Sequence, residues 1–143
     1  MNGRPTSAGR ALTGRCGCGA VEYEVADEFL VAYICHCSNC RTATGSAFLP
    51  WGEIEAEKLR VTRGAETLTR LGEDGADHEI RCSVCWTRVY WTRTAPEHAY
   101  VRIPYGTLVD EPSLKPMAHM FVGSKAPWYD ILDDLPRHEA YPW

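Results

Sequence analysis

The sequence predicts a mainly β protein, and three observations support this fold class. Short runs rich in β-branched and aromatic residues alternate with polar residues, as expected of strands with one buried face. Glycines and prolines separate these runs at short intervals. No stretch keeps apolar residues at helical spacing for long enough to predict a helix. We therefore expect many short strands that form a folded-over sheet, with no internal repeat and no second domain.

Length, composition and charge limit the partners and the cellular location that the sequence allows. The chain has 143 residues, of which 45% are hydrophobic and 24% are charged, as in an ordinary soluble domain. Its net charge is -4 and its basic residues are scattered, so we expect no nucleic-acid partner. No apolar run approaches the roughly 20 residues of a membrane span, and the first ten residues lack a secretion signal. We expect a cytoplasmic protein that does not bind membranes; the sequence does not indicate its oligomeric state.

The first predicted elements are a disordered segment and a strand. Residues 1–10 are polar and rich in small residues, which predicts disorder, and the folded domain is expected over residues 11–143. A strand is predicted over LTGRCGCGAVEYEV, because Val21, Tyr23 and Val25 alternate with glutamates. Its glycines would allow the backbone to pass close to a metal ion.

Further strands are predicted from short apolar or alternating runs that end at turn signals. Residues 59–64 and 66–77 are expected to pair with each other, with turns at Gly64, Gly72 and Gly75. The proline-rich C-terminal region predicts at most a single helical turn at residues 128–132. The other predicted strands lie at 30–34, 46–51, 99–108 and 117–122, with a hairpin at 78–93.

The seven cysteines form three tight clusters, which indicates metal binding. An odd number of cysteines at CxC, CxCxxC and CxxC spacings suits shared metal ions better than disulfides between distant segments. The clusters are Cys16 with Cys18, Cys35 with Cys37 and Cys40, and Cys82 with Cys85.

Seven cysteines divide most simply into four and three. Two cysteine pairs from opposite ends of the chain would complete a closed, structural zinc site of Cys16, Cys18, Cys82 and Cys85. A competing division, as in zinc ribbons, joins Cys37 and Cys40 to Cys82 and Cys85. That division leaves Cys16, Cys18 and Cys35 over.

The remaining three cysteines predict an open zinc site and the reactive centre. Cys35 and Cys37 are two apart on an extended backbone and face the same way, while a turn at Ser38 and Asn39 would return Cys40 to them. Three thiolates leave tetrahedral zinc one ligand short, which is typical of a zinc that binds water or substrate. By the same alternation His36 points away, as a hydrogen-bonded structural histidine or a proton relay.

Four stretches together resemble one known family. They are GRCGCGAVEYEV, CHCSNCRTATGSAF, the CSVC pair and FVGSKAPWYDILDDLP. They are similar to the glutathione-dependent formaldehyde-activating enzyme family, whose domain also occurs in a centromere protein. The resemblance implies an Mss4-like β-tent fold and two zinc ions per chain: a structural one on Cys16, Cys18, Cys82 and Cys85, and a functional one on Cys35, Cys37 and Cys40.

The resemblance also implies an activity. It is the joining of glutathione to formaldehyde to give S-(hydroxymethyl)glutathione, named from its reverse as a carbon-sulfur lyase. Arg41 and Ser46 border the central cluster and are expected to bind carboxylates of a glutathione-like substrate. His119 and Trp128, in the family-like tail, are expected to pack in the core or at the rim.

Two residues depart from the family pattern, Trp86 and, as a milder change in an expected surface loop, Asp134, which stands where a glycine is usual in the tail. Trp86 stands where members commonly carry glycine after the second CxxC cysteine, which puts the local geometry near Cys85 in question.

The sequence leaves two function classes open. The first is an enzyme or carrier that acts on glutathione or a related small thiol, with Cys35, Cys37 and Cys40 as its catalytic centre. The second is a zinc-stabilised protein-interaction module whose central site is closed by a fourth ligand such as His36 or by a neighbouring chain.

Overall fold

A computed structural model describes residues 9–73, 77–94 and 99–143 of the chain, and within them the fold is mainly β, as predicted. The strands are β1 (Ala11–Arg15), β2 (Glu22–Ala26), β3 (Val31–Cys35), β4 (Leu49–Glu55), β5 (Leu59–Arg63), β6 (Leu68–Leu71), β7 (His78–Cys82), β8 (Arg88–Thr94), β9 (Ala99–Pro104) and β10 (Ala118–Met120). One α-helix, α1 (Ser38–Thr44), and several 3₁₀ turns complete the regular structure of these residues. In the described part of the chain no helix has the length and apolar content needed to cross a bilayer.

The strands form two sheets. The smaller has the order β1-β2-β5, and the larger has the order β10-β3-β4-β9-β8-β7-β6. Neighbouring strands are antiparallel except for β10 and β3, which are parallel. This two-sheet arrangement agrees with the β-tent that the family resemblance implies. It places β3 near one edge of the larger sheet and the β7–β8 hairpin, which was predicted, near the other.

The predicted N-terminal boundary falls partly outside the described residues. Of the segment 1–10 that is expected to be disordered, residues 1–8 are not described. Arg10 forms an ion pair of 2.9 Å with Asp27, a residue that is only 2% exposed. Asp27 also accepts hydrogen bonds from the backbone and the hydroxyl of Ser113. These contacts attach Arg10 to the folded domain.

The single strand predicted over residues 12–25 is wrong, because the chain folds there into a hairpin of β1 and β2. The turn closes with a hydrogen bond of 3.1 Å from the Cys16 N–H to the Val21 carbonyl. Gly19 has a left-handed φ of 80°, which glycine adopts without steric cost. The CGCG stretch is therefore the tip of a hairpin, and both of its cysteines lie in the turn.

The predicted pairing of residues 59–64 with 66–77 is also wrong. Strand β5 pairs with β2 in the smaller sheet, whereas β6 pairs with β7 in the larger one. Gly64 separates them with a left-handed φ of 79°, and a Cβ at this position would collide with the Ala20 carbonyl oxygen. The chain passes from the smaller sheet to the larger one at this glycine. The predicted turn residue Gly75 lies outside the described residues.

Helix α1 was not predicted, because it is only seven residues long and buries only Cys40. Its ends are nevertheless well defined. The Cys37 Sγ caps the first turn by accepting a hydrogen bond from the Cys40 N–H at 3.3 Å. Gly45 ends the helix with a φ of 64° and donates its N–H to the Arg41 carbonyl. The expected turn at Ser38 and Asn39 is thus the first turn of this helix.

The predicted helical turn at residues 128–132 is displaced. A hydrogen-bonded turn forms earlier, where the Tyr129 N–H donates to the Ala126 carbonyl at 3.2 Å. Beyond it the chain is irregular and runs along β10, with hydrogen bonds from the His119 N–H to Pro136 and from the Phe121 N–H to Ala140. The C-terminal residues therefore cover the edge of the larger sheet beside β10.

Two hydrophobic clusters lie inside the fold, and each contains part of one cysteine group. The larger joins both sheets and includes Leu12, Val21, Tyr23, Val25, Ile54, Val89, Val101 and Ile103 together with Cys16 and Cys82. The smaller consists of Tyr33, Leu49, Trp51, Ala118 and Met120 together with Cys35 and Cys40. The first cysteine group is therefore part of the packing between the sheets.

Candidate metal centres

The structure brings together the two cysteine groups of the four-plus-three division. The Sγ atoms of Cys16, Cys18, Cys82 and Cys85 lie within 4.8 Å of one another, and so do those of Cys35, Cys37 and Cys40. The competing arrangement, with Cys37 and Cys40 beside Cys82 and Cys85, does not occur. Each group could hold a metal ion.

The four-cysteine group joins the tips of two hairpins. Cys16 and Cys18 lie in the β1–β2 turn, Cys82 ends β7, and Cys85 lies in the turn before β8. The Cys18 Sγ is 3.7 Å from the Cys16 Sγ and 3.8 Å from the Cys82 Sγ. Because residues 64 positions apart meet here, this group connects the smaller sheet to the larger one.

Backbone N–H groups and one hydroxyl form hydrogen bonds to sulfur atoms of this group. The Val21 N–H donates to the Cys16 Sγ at 3.3 Å, and the Val84 N–H donates to the Cys82 Sγ at 3.4 Å. The Thr87 hydroxyl lies 3.2 Å from the Cys85 Sγ and lowers the pKa of Cys85 to about 5. Thr87 Oγ1 also accepts a hydrogen bond from the Gly17 N–H at 3.0 Å, which leaves its proton free to donate to Cys85.

Trp86 takes the backbone conformation that glycine would take. Its φ is 61°, in the left-handed region, and its side chain is 54% exposed. Its N–H donates to the Cys82 carbonyl at 2.9 Å, and its carbonyl accepts from Arg81 at 2.8 Å. The departure from the family pattern therefore leaves the turn over residues 82–86 intact, but with a strained residue at its end.

We expect Trp86→Gly to raise the free energy of unfolding by up to about 1 kcal/mol. A left-handed non-glycine residue costs about 1–2 kcal/mol, and the greater freedom of glycine in the unfolded chain offsets about half of that gain. Chemical denaturation of the metal-loaded protein measures the change. Trp86→Ala keeps a Cβ in the same conformation and should show no gain; an equal gain in both variants would contradict the strain.

The three-cysteine group lies at the junction of β3 and α1. Cys35 ends β3, Cys37 is the residue before the helix, and Cys40 lies within its first turn. Cys35 and Cys40 are buried, at 3% and 7% exposure. Among the residues that the structure describes, no fourth histidine, cysteine or carboxylate joins this group. Cys35, Cys37 and Cys40, the trio, thus supply three of the four ligands of a tetrahedral site.

His36 belongs to a separate buried network. Its Nε2 lies 2.8 Å from Nδ1 of His119, whose Nε2 lies 3.0 Å from both oxygens of Asp133. Because a carboxylate only accepts hydrogen bonds, His119 donates its Nε2–H to Asp133. Burial lowers the pKa of His36 to about 4, so it is neutral at pH 7. His36 is thus a hydrogen-bonded structural histidine and not a fourth member of the trio.

The trio's thiols affect one another strongly. The hydrogen bond from Cys40 lowers the pKa of Cys35 to about 6, and the positive charge of Arg102 contributes to the same shift. The interaction with Cys35 raises the pKa of Cys40 far above that of an ordinary thiol, and burial adds to the effect. One thiolate is therefore readily formed, whereas three would require a cation to neutralise them.

A cavity of about 350 Å³ opens above the trio. This volume is within the range of small-molecule sites. The described residues that line it are Cys35, Cys37, Ser38, Asn39, Cys40, Trp51, Trp91, Arg102, Met120, Phe121, Ser124 and Tyr141. Arg102 is the single basic side chain among these described lining residues, and none of them is an aspartate or glutamate.

The residues expected to bind substrate carboxylates do not line this cavity. Arg41 follows Cys40 in the helix, and Ser46 lies beyond the helix end and is exposed. Neither appears among the described lining residues, so their roles stay predictions without support from the cavity. His119 is buried in the core, at 2% exposure, whereas Trp128, at 70% exposure, is largely exposed and does not pack there.

No spacing pattern in the sequence links Arg102, Trp51 and Tyr141 to the central cysteines, so their place beside the trio was not predicted. One feature of the sequence does point to Arg102: it is a charged residue between Val101 and Ile103 in a predicted strand. Such a residue needs a partner when the strand is buried.

Comparisons with known proteins agree with the geometry. The model of a family described as glutathione-dependent formaldehyde-activating enzyme matches residues 11–124, which include both cysteine groups. A crystal structure of a Rhodobacter sphaeroides protein, a Northeast Structural Genomics target, is similar with a TM-score of 0.56 and 29% sequence identity. The match covers 69% of this chain and 89% of that one.

Proposed function

The chain belongs to the glutathione-dependent formaldehyde-activating enzyme family, and from this premise we propose that it joins glutathione, or a related small thiol, to formaldehyde or another small aldehyde. The product is an S-hydroxymethyl adduct or its homologue, so the enzyme is of the carbon-sulfur lyase type. The observation that carries the proposal is a three-cysteine group below a cavity of about 350 Å³, with no fourth protein ligand among the described residues.

The cysteine geometry fits zinc. Four sulfur ligands about 2.3 Å from a tetrahedral zinc would be about 3.8 Å apart. The Sγ separations of 3.7 and 3.8 Å in the four-cysteine group match this value, and the Sγ atoms of the trio lie within 4.8 Å of one another. We therefore propose a structural zinc on Cys16, Cys18, Cys82 and Cys85, and a second zinc on Cys35, Cys37 and Cys40.

When bound by the trio, zinc would accept a substrate thiol as its fourth ligand and lower the pKa of that thiol. The surrounding residues perform the remaining tasks. The aromatic rings of Trp51 and Tyr141 line the cavity beside the trio, and Arg102 contributes positive charge beside Cys35. A thiolate held in this cavity is the nucleophile that an aldehyde carbon requires.

The reaction is balanced without an oxidant or reductant. The thiol loses its proton, and the sulfur lone pair forms the new carbon-sulfur bond. The carbonyl π electrons move to the oxygen, which takes up a proton to give the hydroxyl of the adduct. The reverse sequence releases aldehyde and thiol, as a lyase does.

A carrier of glutathione is the second candidate, and charge favours it. Three thiolates exceed the charge of one divalent ion, which makes the ion a weaker Lewis acid than it would be among histidines. Tight thiol binding with little rate enhancement would then result. The interaction-module alternative needs a fourth ligand at the trio, and the described part of this chain supplies none.

The rate of adduct formation separates these candidates. Carbon-13 formaldehyde and glutathione react without help, so exchange between free and adduct formaldehyde is measured by NMR with and without protein at fixed pH. We expect an enzyme to accelerate exchange by about tenfold or more, equivalent to about 1.4 kcal/mol of barrier. Unchanged exchange together with glutathione binding would favour the carrier, and neither binding nor acceleration would exclude both.

A further inference from the structure

We propose that Arg102 binds a carboxylate of the thiol substrate, so that the cavity above the trio selects small thiols that carry a carboxylate. This inference rests on the proposed function and deepens it, because it names the substrate class and the residue that recognises it.

Arg102 is positioned for this role by two contacts. Its Nε donates to Glu53 Oε1 at 3.1 Å, and the carbon of its guanidinium lies 4.5 Å above the centre of the Trp51 ring. The side chain is 18% exposed. A guanidinium held at Nε and stacked on an aromatic ring is fixed in orientation before substrate binds, which reduces the entropy cost of a hydrogen bond to a carboxylate.

Glu53 alone does not compensate the charge of Arg102, because this carboxylate is shared with a second guanidinium. Glu53 is the acceptor for Arg93, at 3.0 and 3.2 Å, as well as for Arg102. One carboxylate between two guanidiniums leaves one positive charge in this group. Because Arg102 lines the cavity and Arg93 is not among its described lining residues, we place that charge at the cavity.

The rest of the cavity supports an anionic ligand group of small size. The described lining has no acidic side chain that would repel a carboxylate, apart from the cysteines themselves. The aromatic and apolar walls lower the local dielectric constant, which strengthens a charge-assisted hydrogen bond. A thiol whose sulfur reaches the trio would therefore gain affinity by directing a carboxylate to Arg102.

Arg102 also has a simpler possible role. Three thiolates and one divalent ion carry a net negative charge, and a nearby guanidinium would stabilise the loaded trio without contacting substrate. This role predicts weaker metal binding in an Arg102 variant, with equal loss for every thiol. The carboxylate role predicts a loss that depends on the thiol.

The test uses a pair of thiols that differ at one group. Cobalt-substituted protein is titrated with 3-mercaptopropionate and with its neutral amide, 3-mercaptopropionamide, and dissociation constants are read from the thiolate-to-cobalt absorption. Arg102→Gln removes the charge. Arg93→Gln is the matched control, since it removes the other partner of Glu53. Intrinsic differences between the two thiols cancel when the affinity ratio is compared between proteins.

We expect the carboxylate-to-amide affinity ratio to fall about tenfold or more in Arg102→Gln and to change little in Arg93→Gln, as for loss of one hydrogen bond between charged groups. An unchanged ratio in Arg102→Gln would overturn the proposal, and a matching loss of metal content would assign Arg102 to charge balance. If neither thiol alters the wild-type spectrum, the proposed function fails first and this inference fails with it.

Discussion

The Cys82→Ser substitution should leave the protein largely unfolded. Cys82 is fully buried, and its Sγ lies 3.8 Å from that of Cys18 across the junction of the two sheets. Structural zinc binding contributes on the order of 10 kcal/mol or more in small modules, comparable to the whole stability of a domain. Loss of one of four ligands should therefore remove most of the stability. Circular dichroism and metal analysis after purification measure the outcome.

The Cys37→Ser variant is the matched control for this prediction, because it makes the same chemical change in the other group. It should remain folded and keep one metal ion per chain. A folded Cys82→Ser protein that still binds two metal ions per chain would contradict the structural role of the four-cysteine group.

Cys37→Ser should also abolish the effect of the protein on the thiol reaction. Cys37 is one of the three ligands that the trio supplies, and serine is a far weaker ligand for zinc than a thiolate. The fold should tolerate the change, because serine is a preferred residue at the position before a helix and can accept the hydrogen bond from the Cys40 N–H. We expect the formaldehyde exchange rate to return to the rate without protein.

This second prediction is checked by the NMR exchange assay and by metal content in the same sample. Full zinc content together with full activity in Cys37→Ser would show that the trio is not the reactive centre. A folded variant with one zinc and no activity would agree with the separation of a structural site from a reactive one.

Both cysteine groups could be predicted because ligand spacing is a local property. The CxC, CxCxxC and CxxC patterns indicated chelation within each segment, and counting seven cysteines left few ways to combine the segments. The strands were recognised for the same reason, since their alternation is visible in short windows. Their partners were harder to predict. The chain leaves the smaller sheet at Gly64, which lies against Ala20, a residue distant in sequence.

The substrate cavity could not be predicted in this way. Closeness in sequence to the trio predicts substrate-binding roles for Arg41 and Ser46, but it does not predict helix α1. Successive helical residues are rotated by about 100°, so Arg41 is directed away from the face that carries Cys40. The cavity instead takes Trp51 from β4 and Arg102 from β9. These strands come together through pairing that the sequence pattern does not specify.

The central claim is that the trio offers one coordination position to a thiol, and cobalt absorption with glutathione tests it most directly. Cobalt replaces zinc at both sites, and glutathione is titrated into wild-type and Cys37→Ser protein. Coordination of a fourth sulfur at the trio predicts a saturable increase in thiolate-to-cobalt absorption in wild type and none in the variant. A wild-type spectrum that glutathione leaves unchanged would contradict the claim.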